Sequence, residues 1–166
     1  MVEHRQGRAP APANAGEVRQ MIQASLQHFC NRIVAKGAIS RDDVNELSRE
    51  LLPDGLIRRE EADMLIALDR AVAAADPAFA DFLTAAVVDF AVWGERPTGT
   101  ITADTAAWLA ATLACGRGPT PLGARIAQEV VREAQATDPT LIAFALSINA
   151  CRRDAAEDRA SFALAA

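Results

Sequence analysis

The sequence Gly-Ala-Ile-Ser-Arg-Asp at residues 37–42 returns as Gly-Thr-Ile-Thr-Ala-Asp at residues 99–104, and this repeat determines the predicted fold. A second motif repeats at the same distance, because Asp-Pro-Ala-Phe-Ala-Asp-Phe at residues 76–82 returns as Asp-Pro-Thr-Leu-Ile-Ala-Phe at residues 138–144. Both offsets are 62 positions, from 37 to 99 and from 76 to 138, with no gap between them. Two separate motifs that share one offset indicate an internal duplication.

The sequence between the two motifs supports the same alignment. Identical residues at this offset are Leu47 and Leu109, Leu51 and Leu113, Ala62 and Ala124, Arg70 and Arg132, and Ala74 and Ala136. The alternative is coincidence in an alanine-rich chain, which does not explain the matched Gly, Ile, Leu, Asp and Pro residues. We therefore expect two units of similar structure.

The duplication sets the expected domain organisation. We expect one helical domain over residues 16–152, preceded by a flexible tail that holds closely spaced prolines and followed by a helical extension. The expected boundaries are residues 1–15 for the tail, about 16–76 for unit 1, about 77–138 for unit 2, 139–152 for a terminal helix, and 153–166 for the extension.

The chain between the tails has the pattern of an all-α protein. Apolar residues recur at three- and four-residue spacing, the chain has no tyrosine, and no long stretch alternates apolar with polar residues. Ser40 with Asp43 three residues later resembles a capping box, and the Asp-Pro pairs at 76–77 and 138–139 are helix starts. Residues 53–55, Pro-Asp-Gly, break a helix. These signals predict a compact bundle of about seven helices.

The first helix of unit 2 has the broadest apolar face in the chain. Its apolar residues at helical spacing are Phe79, Phe82, Leu83, Ala86, Val87, Phe90 and Trp93. A helix that is apolar around so much of its circumference is covered by other elements on more than one side. We therefore expect this helix at the centre of the bundle.

Three Gly-x-Ile turns precede predicted helices, at residues 37–39, 55–57 and 99–101. Glycine adopts a positive φ at little cost in such a turn, and we expect each isoleucine to enter the core as the next helix begins. The same shape forms the second half of a calcium-binding loop. A metal site must therefore be considered at each of these turns.

A calcium loop carries acids at its first, third, fifth and twelfth positions, around a glycine at the sixth. Gly55 in the sixth position gives Glu50, Asp54 and Glu61 as three of the four acids, with Leu52 at the remaining position. The other two turns supply no set of acids able to hold a divalent cation. We expect no cofactor, and we keep these three acids as a weak candidate metal site.

Catalytic motifs are missing from the sequence. His28 lies beside an apolar stripe, where a partly buried structural histidine is expected. No convincing Ser–His–acid or Cys–His arrangement and no glycine-rich phosphate loop is present. The acids at 42, 43, 46 and 50 follow helical spacing and are expected to form a solvated face, with a general acid/base pair as the alternative.

Composition limits the classes of function. The chain is 51% hydrophobic and 23% charged, with a net charge of −5, so we expect no nucleic-acid partner. No apolar run approaches the length of a membrane span and no signal peptide precedes the domain, so we expect a cytoplasmic protein. Cys30, Cys115 and Cys151 show no metal-ligand spacing and are expected to be reduced, mostly buried thiols.

The loop at the middle of the duplication is the best candidate for an interaction site. It carries Trp93, Glu95, Arg96 and Thr98, and a tryptophan beside glycine and arginine can anchor a partner. The alternative, which the spacing favours, is that Trp93 ends the apolar stripe and is buried. Trp108 lies beside another apolar stripe and leaves the same two alternatives open.

An apolar helix followed by Gly-x-Ile, a polar residue, an acid and a second helix resembles the tellurite-resistance TerB-like family. Residues 33–42 carry this motif in unit 1 and residues 97–104 carry it in unit 2, and the resemblance covers roughly residues 17–150. It implies an all-α cytosolic module of bacterial stress or membrane-associated complexes, without established catalysis. The aspartate that precedes the glycine in metal-binding members is replaced by Lys36 and Thr98, which implies that the metal site is lost.

Our leading hypothesis is a non-enzymatic helical module that binds another protein. One alternative is a regulator that binds a divalent metal, and a second is an enzyme or small-ligand binder with a pocket between the two units. The expected partner is a protein, without nucleic acid or a membrane span, and a homo-oligomer remains open.

Overall fold

Seven helices make up most of the computed structural model, which describes residues 15–148. They are α1 (Ala15–Lys36), α2 (Arg41–Glu46), α3 (Arg59–Ala71), α4 (Pro77–Val88), α5 (Ala103–Ala114), α6 (Pro121–Glu133) and α7 (Pro139–Ile148). Two of them continue as π-helical turns, α2 over Leu47–Leu51 and α4 over Asp89–Gly94. The predicted all-α class is confirmed.

Three of the predicted segments lie wholly or partly outside the described residues. Residues 1–14 of the expected tail lie outside the described residues, as do 149–152 of the terminal helix and the extension at 153–166. Ala15, which we placed in the tail, is the first residue of α1.

Four two-residue strands form two parallel pairs within the described residues. Ala38–Ile39 (β1) pairs with Ala74–Ala75 (β2), and Thr100–Ile101 (β3) pairs with Ala136–Thr137 (β4). The sequence did not predict them, because two residues are too few to show an alternating pattern. Each pair ties the start of one helix to the start of another, α2 to α4 and α5 to α7.

The strand pairs are separated by the same 62 positions as the sequence motifs. The register pairs Ala38 with Ala74 and Thr100 with Ala136. Helices α3 and α6 begin and end at this offset too, from 59 to 121 and from 71 to 133. The elements of the two halves therefore follow each other in the same order, while their origin by duplication stays a prediction.

The predicted helix starts are confirmed in their hydrogen bonds. Ser40 and Asp43 form the capping box, in which the Ser40 N–H donates to Asp43 Oδ2 at 2.8 Å. Asp76 accepts from the N–H of Ala78 at 2.9 Å, and Asp138 accepts from the N–H of Thr140 at the same distance. These side chains satisfy N–H groups that have no partner within their own helix.

The core is built around α4, which packs against α2, α3 and α6. Its residues Phe79, Leu83 and Val87 are almost completely buried, and Phe90 and Val92 of the π turn continue this face. The expectation of a central, broadly apolar helix is confirmed. By length and composition alone, the segment Pro77–Gly94 is also able to cross a membrane, but the core helix of a soluble protein meets the same criteria.

The expectations for two residues, Ile57 and His28, were wrong. Ile57 is 54% exposed, and its neighbour Leu56 is buried instead, whereas Ile39 and Ile101 enter the core as expected. His28 is exposed, because it points away from the face of α1 that carries Leu26 and Phe29. The structural roles given to Ile57 and His28 are therefore not observed.

The acidic face of α2 is only partly solvated. Asp43 is 8% exposed, because it turns inward to cap its own helix, and its Oδ2 accepts from Lys36 Nζ at 2.7 Å. Burial alone would raise the pKa of this carboxyl, but the hydrogen bonds from Lys36 and Ser40 lower the pKa to about 2. Asp42 and Glu50 are exposed and Glu46 is half-buried.

The cysteines differ from one another in their surroundings. Cys30 is buried, and burial raises the pKa of its thiol to about 11, which leaves it unreactive as a nucleophile. Cys115 is exposed, contrary to our expectation, because it ends α5 in a left-handed conformation with φ of 45°. Cys151 lies outside the described residues.

The low pKa of Asp43 predicts a stability difference that depends on pH. The pKa of Asp43 is lower in the folded state than in the unfolded state, so its ionised carboxylate stabilises the fold. This stabilisation is complete at pH values above the unfolded-state pKa of about 4, and it is lost as the pH falls towards 2. We expect Asp43→Asn to lower the free energy of unfolding by about 2 kcal/mol at neutral pH and by about half as much near pH 3.

Urea unfolding at the two pH values measures this difference. The matched control is Asp42→Asn, one residue earlier in the same helical turn and exposed, which should change the free energy by less than about 0.5 kcal/mol. A pH-independent loss in Asp43→Asn would contradict the assignment.

Candidate functional site

The loop after α4 is fixed at both ends by backbone hydrogen bonds. At its start, the N–H of Glu95 donates to the carbonyl of Phe90 at 3.0 Å, and at its end the N–H of Gly99 donates to the carbonyl of Val92 at 2.6 Å. Gly99 has φ of +78° and is buried, whereas the preceding residues Arg96 to Thr98 are exposed. Its carbonyl accepts from the N–H of Gln135 at 2.8 Å, which joins the loop to the residue before β4.

Glu95 is partly buried, and its carboxylate is occupied by hydrogen bonds within the protein. Arg59 donates to both of its carboxylate oxygens, from Nε at 2.6 Å and from an Nη at 2.8 Å, and Thr105 Oγ1 donates at 2.6 Å. The hydrogen bonds from Arg59 lower the pKa of Glu95 against the opposing effect of burial, and the bond from Thr105 adds to the lowering. Glu95 therefore attaches the loop to α3 and α5.

Arg59 extends this attachment into a larger cluster. Its second Nη lies 2.8 Å from Asp104 Oδ2, and its guanidinium stands over the ring of Trp108 at 5.0 Å. The Trp108 ring meets Phe90 edge-on at a centroid distance of 5.9 Å, and its Nε1–H donates to Asp63 at 2.9 Å. The ring and the polar edge of Trp108 are thus both engaged in contacts within the protein, which makes it a structural residue.

Trp93 is 42% exposed, so the interpretation that it is buried at the end of the apolar stripe is wrong. The stripe was extrapolated with the geometry of an α-helix, but residues 89–94 form a π turn. Each residue of a π turn advances by a smaller angle, so the side chains shift around the helix axis. Phe90, Ala91 and Val92 become the buried residues, and Trp93 faces outward.

Trp93 lines an open groove of about 580 Å³, which we call the Trp93 groove. One wall is the outer face of α4 and its π turn, with Phe82 and Ala86 beside Trp93. The opposite wall is the end of α2 and the turn after it, where Leu52 and Gly55 line the groove. The remaining lining residues are Ser48, Pro53, Ala85, Val88, Asp89 and Glu133.

The lining of the Trp93 groove is mostly apolar and its charges are acidic. Asp89 and Glu133 are exposed, and neither carboxylate has a hydrogen-bond or ion-pair partner among the side chains that the structure describes. Among these described residues, no lysine or arginine lines the groove. Both halves of the chain line the groove, since residues 48–55 belong to unit 1 and residues 82–93 belong to unit 2.

The predicted site residues therefore separate into different roles. Trp93 lines the groove, Glu95 is an internal anchor, and Arg96 and Thr98 are exposed but do not line the groove. Sequence reasoning missed Phe82 and Leu52 as walls of the site and Arg59 as the partner of Glu95. One wall had a detectable signal, because Phe82, Ala85, Ala86 and Asp89 follow one helical face beside the core face.

The three candidate metal ligands have separate environments. Glu50 and Asp54 are exposed, whereas Glu61 is buried and its Oε2 accepts from the N–H groups of Ile57 and Arg58 at 2.8 and 3.2 Å. Within the described residues, no group of three or more His, Cys, Asp or Glu side chains could hold a metal ion. The geometry offers no support for the metal-binding alternative.

Comparisons with known proteins identify no relative. No protein family matches the chain, and neither the characterised proteins nor the solved structures give a significant match.

The anchoring of Glu95 predicts a local loss of stability. We expect Glu95→Gln to lower the free energy of unfolding by about 2 kcal/mol, because Arg59 keeps its partly buried charge and loses the charge of its partner. Urea unfolding measures the change. The control is Glu133→Gln, an exposed and unpaired carboxylate among the described residues, for which we expect less than about 0.5 kcal/mol. Equal effects of the two substitutions would contradict the anchoring role.

Proposed function

We propose that the protein is a non-enzymatic interaction module that binds another protein through the Trp93 groove. The observation that carries this proposal is the exposure of Trp93 in a mostly apolar groove. Tryptophan is among the residues that contribute most to binding energy at protein interfaces, above all where it is surrounded by apolar contacts. The apolar lining of the groove combines exposed side chains, such as Trp93 and Pro53, with half-buried and buried ones, and this composition suits a protein-binding surface.

The scaffold around the groove favours binding without a large rearrangement. Glu95 lies two residues after Trp93 and is bound by Arg59 and Thr105, so the end of the π turn is fixed to α3 and α5. A site held by rigid helices loses less conformational entropy when a partner binds. The groove is therefore suited to a preformed interface.

The sequence resemblance adds a biological setting to the proposal. A TerB-like module would act in the cytoplasm, as part of a bacterial stress or membrane-associated complex. The resemblance rests on the Gly-x-Ile motifs of the two units, whose structural roles are turns, strands and buried isoleucines. The Trp93 groove lies outside these motifs, so the proposed binding surface does not depend on the resemblance.

A small-ligand site is the second candidate function. It is favoured by the position of the groove between the two halves and by a volume within the range of small-molecule pockets. The polar lining groups are few, namely Ser48, Asp89 and Glu133. Native mass spectrometry of the protein purified from its host would detect a bound compound whose mass disappears in Trp93→Glu.

The proposal predicts that a charged side chain in place of Trp93 prevents the partner from binding. Affinity purification followed by quantitative mass spectrometry should recover a partner with the wild-type chain and lose at least about 90% of it with Trp93→Glu, since burying a charge in the interface costs more than about 1.4 kcal/mol. The control is Leu146→Glu, which charges an apolar side chain that is 63% exposed and lies outside the groove. Equal recovery with both variants, or no partner at all, would contradict the proposal.

A further inference from the structure

We propose that the segment bound in the Trp93 groove is an amphipathic α-helix that carries lysine or arginine beside its apolar face. This inference rests on the proposed function and specifies the chemistry of its partner. Three independent features of the groove lead to it: the profile of the α4 wall, the backbone available in the opposite wall, and the sign of the charges.

The α4 wall has the profile of a helix-binding surface. Phe82 and Trp93 are its bulky ends, and Ala85 and Ala86 lie between them, where small side chains allow a partner to approach closely. The span from position 82 to position 93 corresponds to about 16 Å along the axis, or roughly three turns of a bound helix. A partner that presents apolar residues at i, i+3, i+4 and i+7 would cover this length.

The backbone of the groove favours a helix over an extended strand. A peptide that binds as an added strand needs an exposed strand edge for its backbone hydrogen bonds. None of the strands in the described part of the chain lines the groove. Above Gly55 the structure leaves open space, because no residue other than its two chain neighbours has a heavy atom within 4 Å of the place that a Cβ would occupy. A bound helix, which satisfies its own backbone, can pack at this point.

The charges select a basic helix. Asp89 lies on the α4 face between Ala85 and Trp93, and Glu133 lines the groove from the end of α6. Both carboxylates lack partners among the described residues, and no basic side chain in that part of the chain lines the groove. Lysine or arginine on the flank of a bound helix would pair with them, which sets orientation and accelerates association. A second copy of this chain, with its net charge of −5, is electrostatically a poorer occupant.

The test uses two synthetic helical peptides as probes. Both carry leucine at i, i+3, i+4 and i+7, and they differ only in having lysine or glutamate at the flanking positions. Fluorescence anisotropy of labelled peptide measures the affinity for the full chain at about 50 mM and about 500 mM salt, since screening weakens exposed charge pairs. We expect the lysine peptide to bind at least about tenfold more tightly at low salt, with a smaller ratio at high salt.

Variants locate the binding to the groove. Trp93→Ala should abolish binding of the lysine peptide, and the double variant Asp89→Asn/Glu133→Gln should weaken it by about threefold to tenfold. The matched control is Asp42→Asn/Glu60→Gln, which removes two exposed acids outside the groove and changes the net charge equally. This control should keep the wild-type affinity.

The outcomes separate this inference from the proposed function. Equal affinity of the two peptides, or equal effects of the two double variants, would overturn the basic helix and leave the interaction module intact. Absence of binding by the lysine peptide would also overturn the inference, and the Trp93→Glu affinity purification then decides the proposed function separately. A dimer that Trp93→Glu converts to a monomer in analytical ultracentrifugation would identify a second copy as the occupant and overturn the inference as well.

Discussion

The ion pair between Arg59 and Glu95 holds together the parts of the molecule on which the groove depends. It links residues 36 positions apart, with two hydrogen bonds in a partly buried setting, and it joins α3 to the loop after α4. Arg59 also pairs with Asp104 and covers Trp108, so a single guanidinium connects this loop with α5 as well. This cluster fixes Glu95, which lies two residues after Trp93. The backbone that carries the exposed Trp93 side chain is therefore held in one position.

The two π turns of the described residues are both found at the groove. The turn at Leu47–Leu51 includes Ser48 and ends just before Leu52, and the turn at Asp89–Gly94 includes Asp89 and Trp93. A π turn shifts the side chains after it around the helix axis, at the cost of less regular backbone packing, and such turns are frequent at functional sites. Here one of them carries Trp93, whose side chain is exposed. Both irregular turns therefore contribute residues that line the groove.

The parts of the structure that the sequence predicted are those with local causes. Capping by Ser40, Asp76 and Asp138 depends on residues within three positions, and the helices begin where these signals stand. The partnership of Arg59 with Glu95 depends on chain segments brought together by folding, and no local pattern encodes it. The exposure of Trp93 depends on a π turn, which the α-helical period does not reveal. The core was therefore predictable to a large extent. Of the groove, the sequence marked Trp93 as a candidate and the turn at residues 53–55, and the spacing of Phe82, Ala85, Ala86 and Asp89 marked one wall.

The two strand pairs are short, but they close the chain into two loops of equal length, from 38 to 74 and from 100 to 136. Each closure is made by segments of one half, so the contacts that define it do not require the other half of the chain. The central helix begins directly after the first closure, at Pro77, and leads into the second loop. The topology is therefore modular. An insertion within one closed loop would enlarge that loop, and the strand pair that closes the other loop would be unchanged.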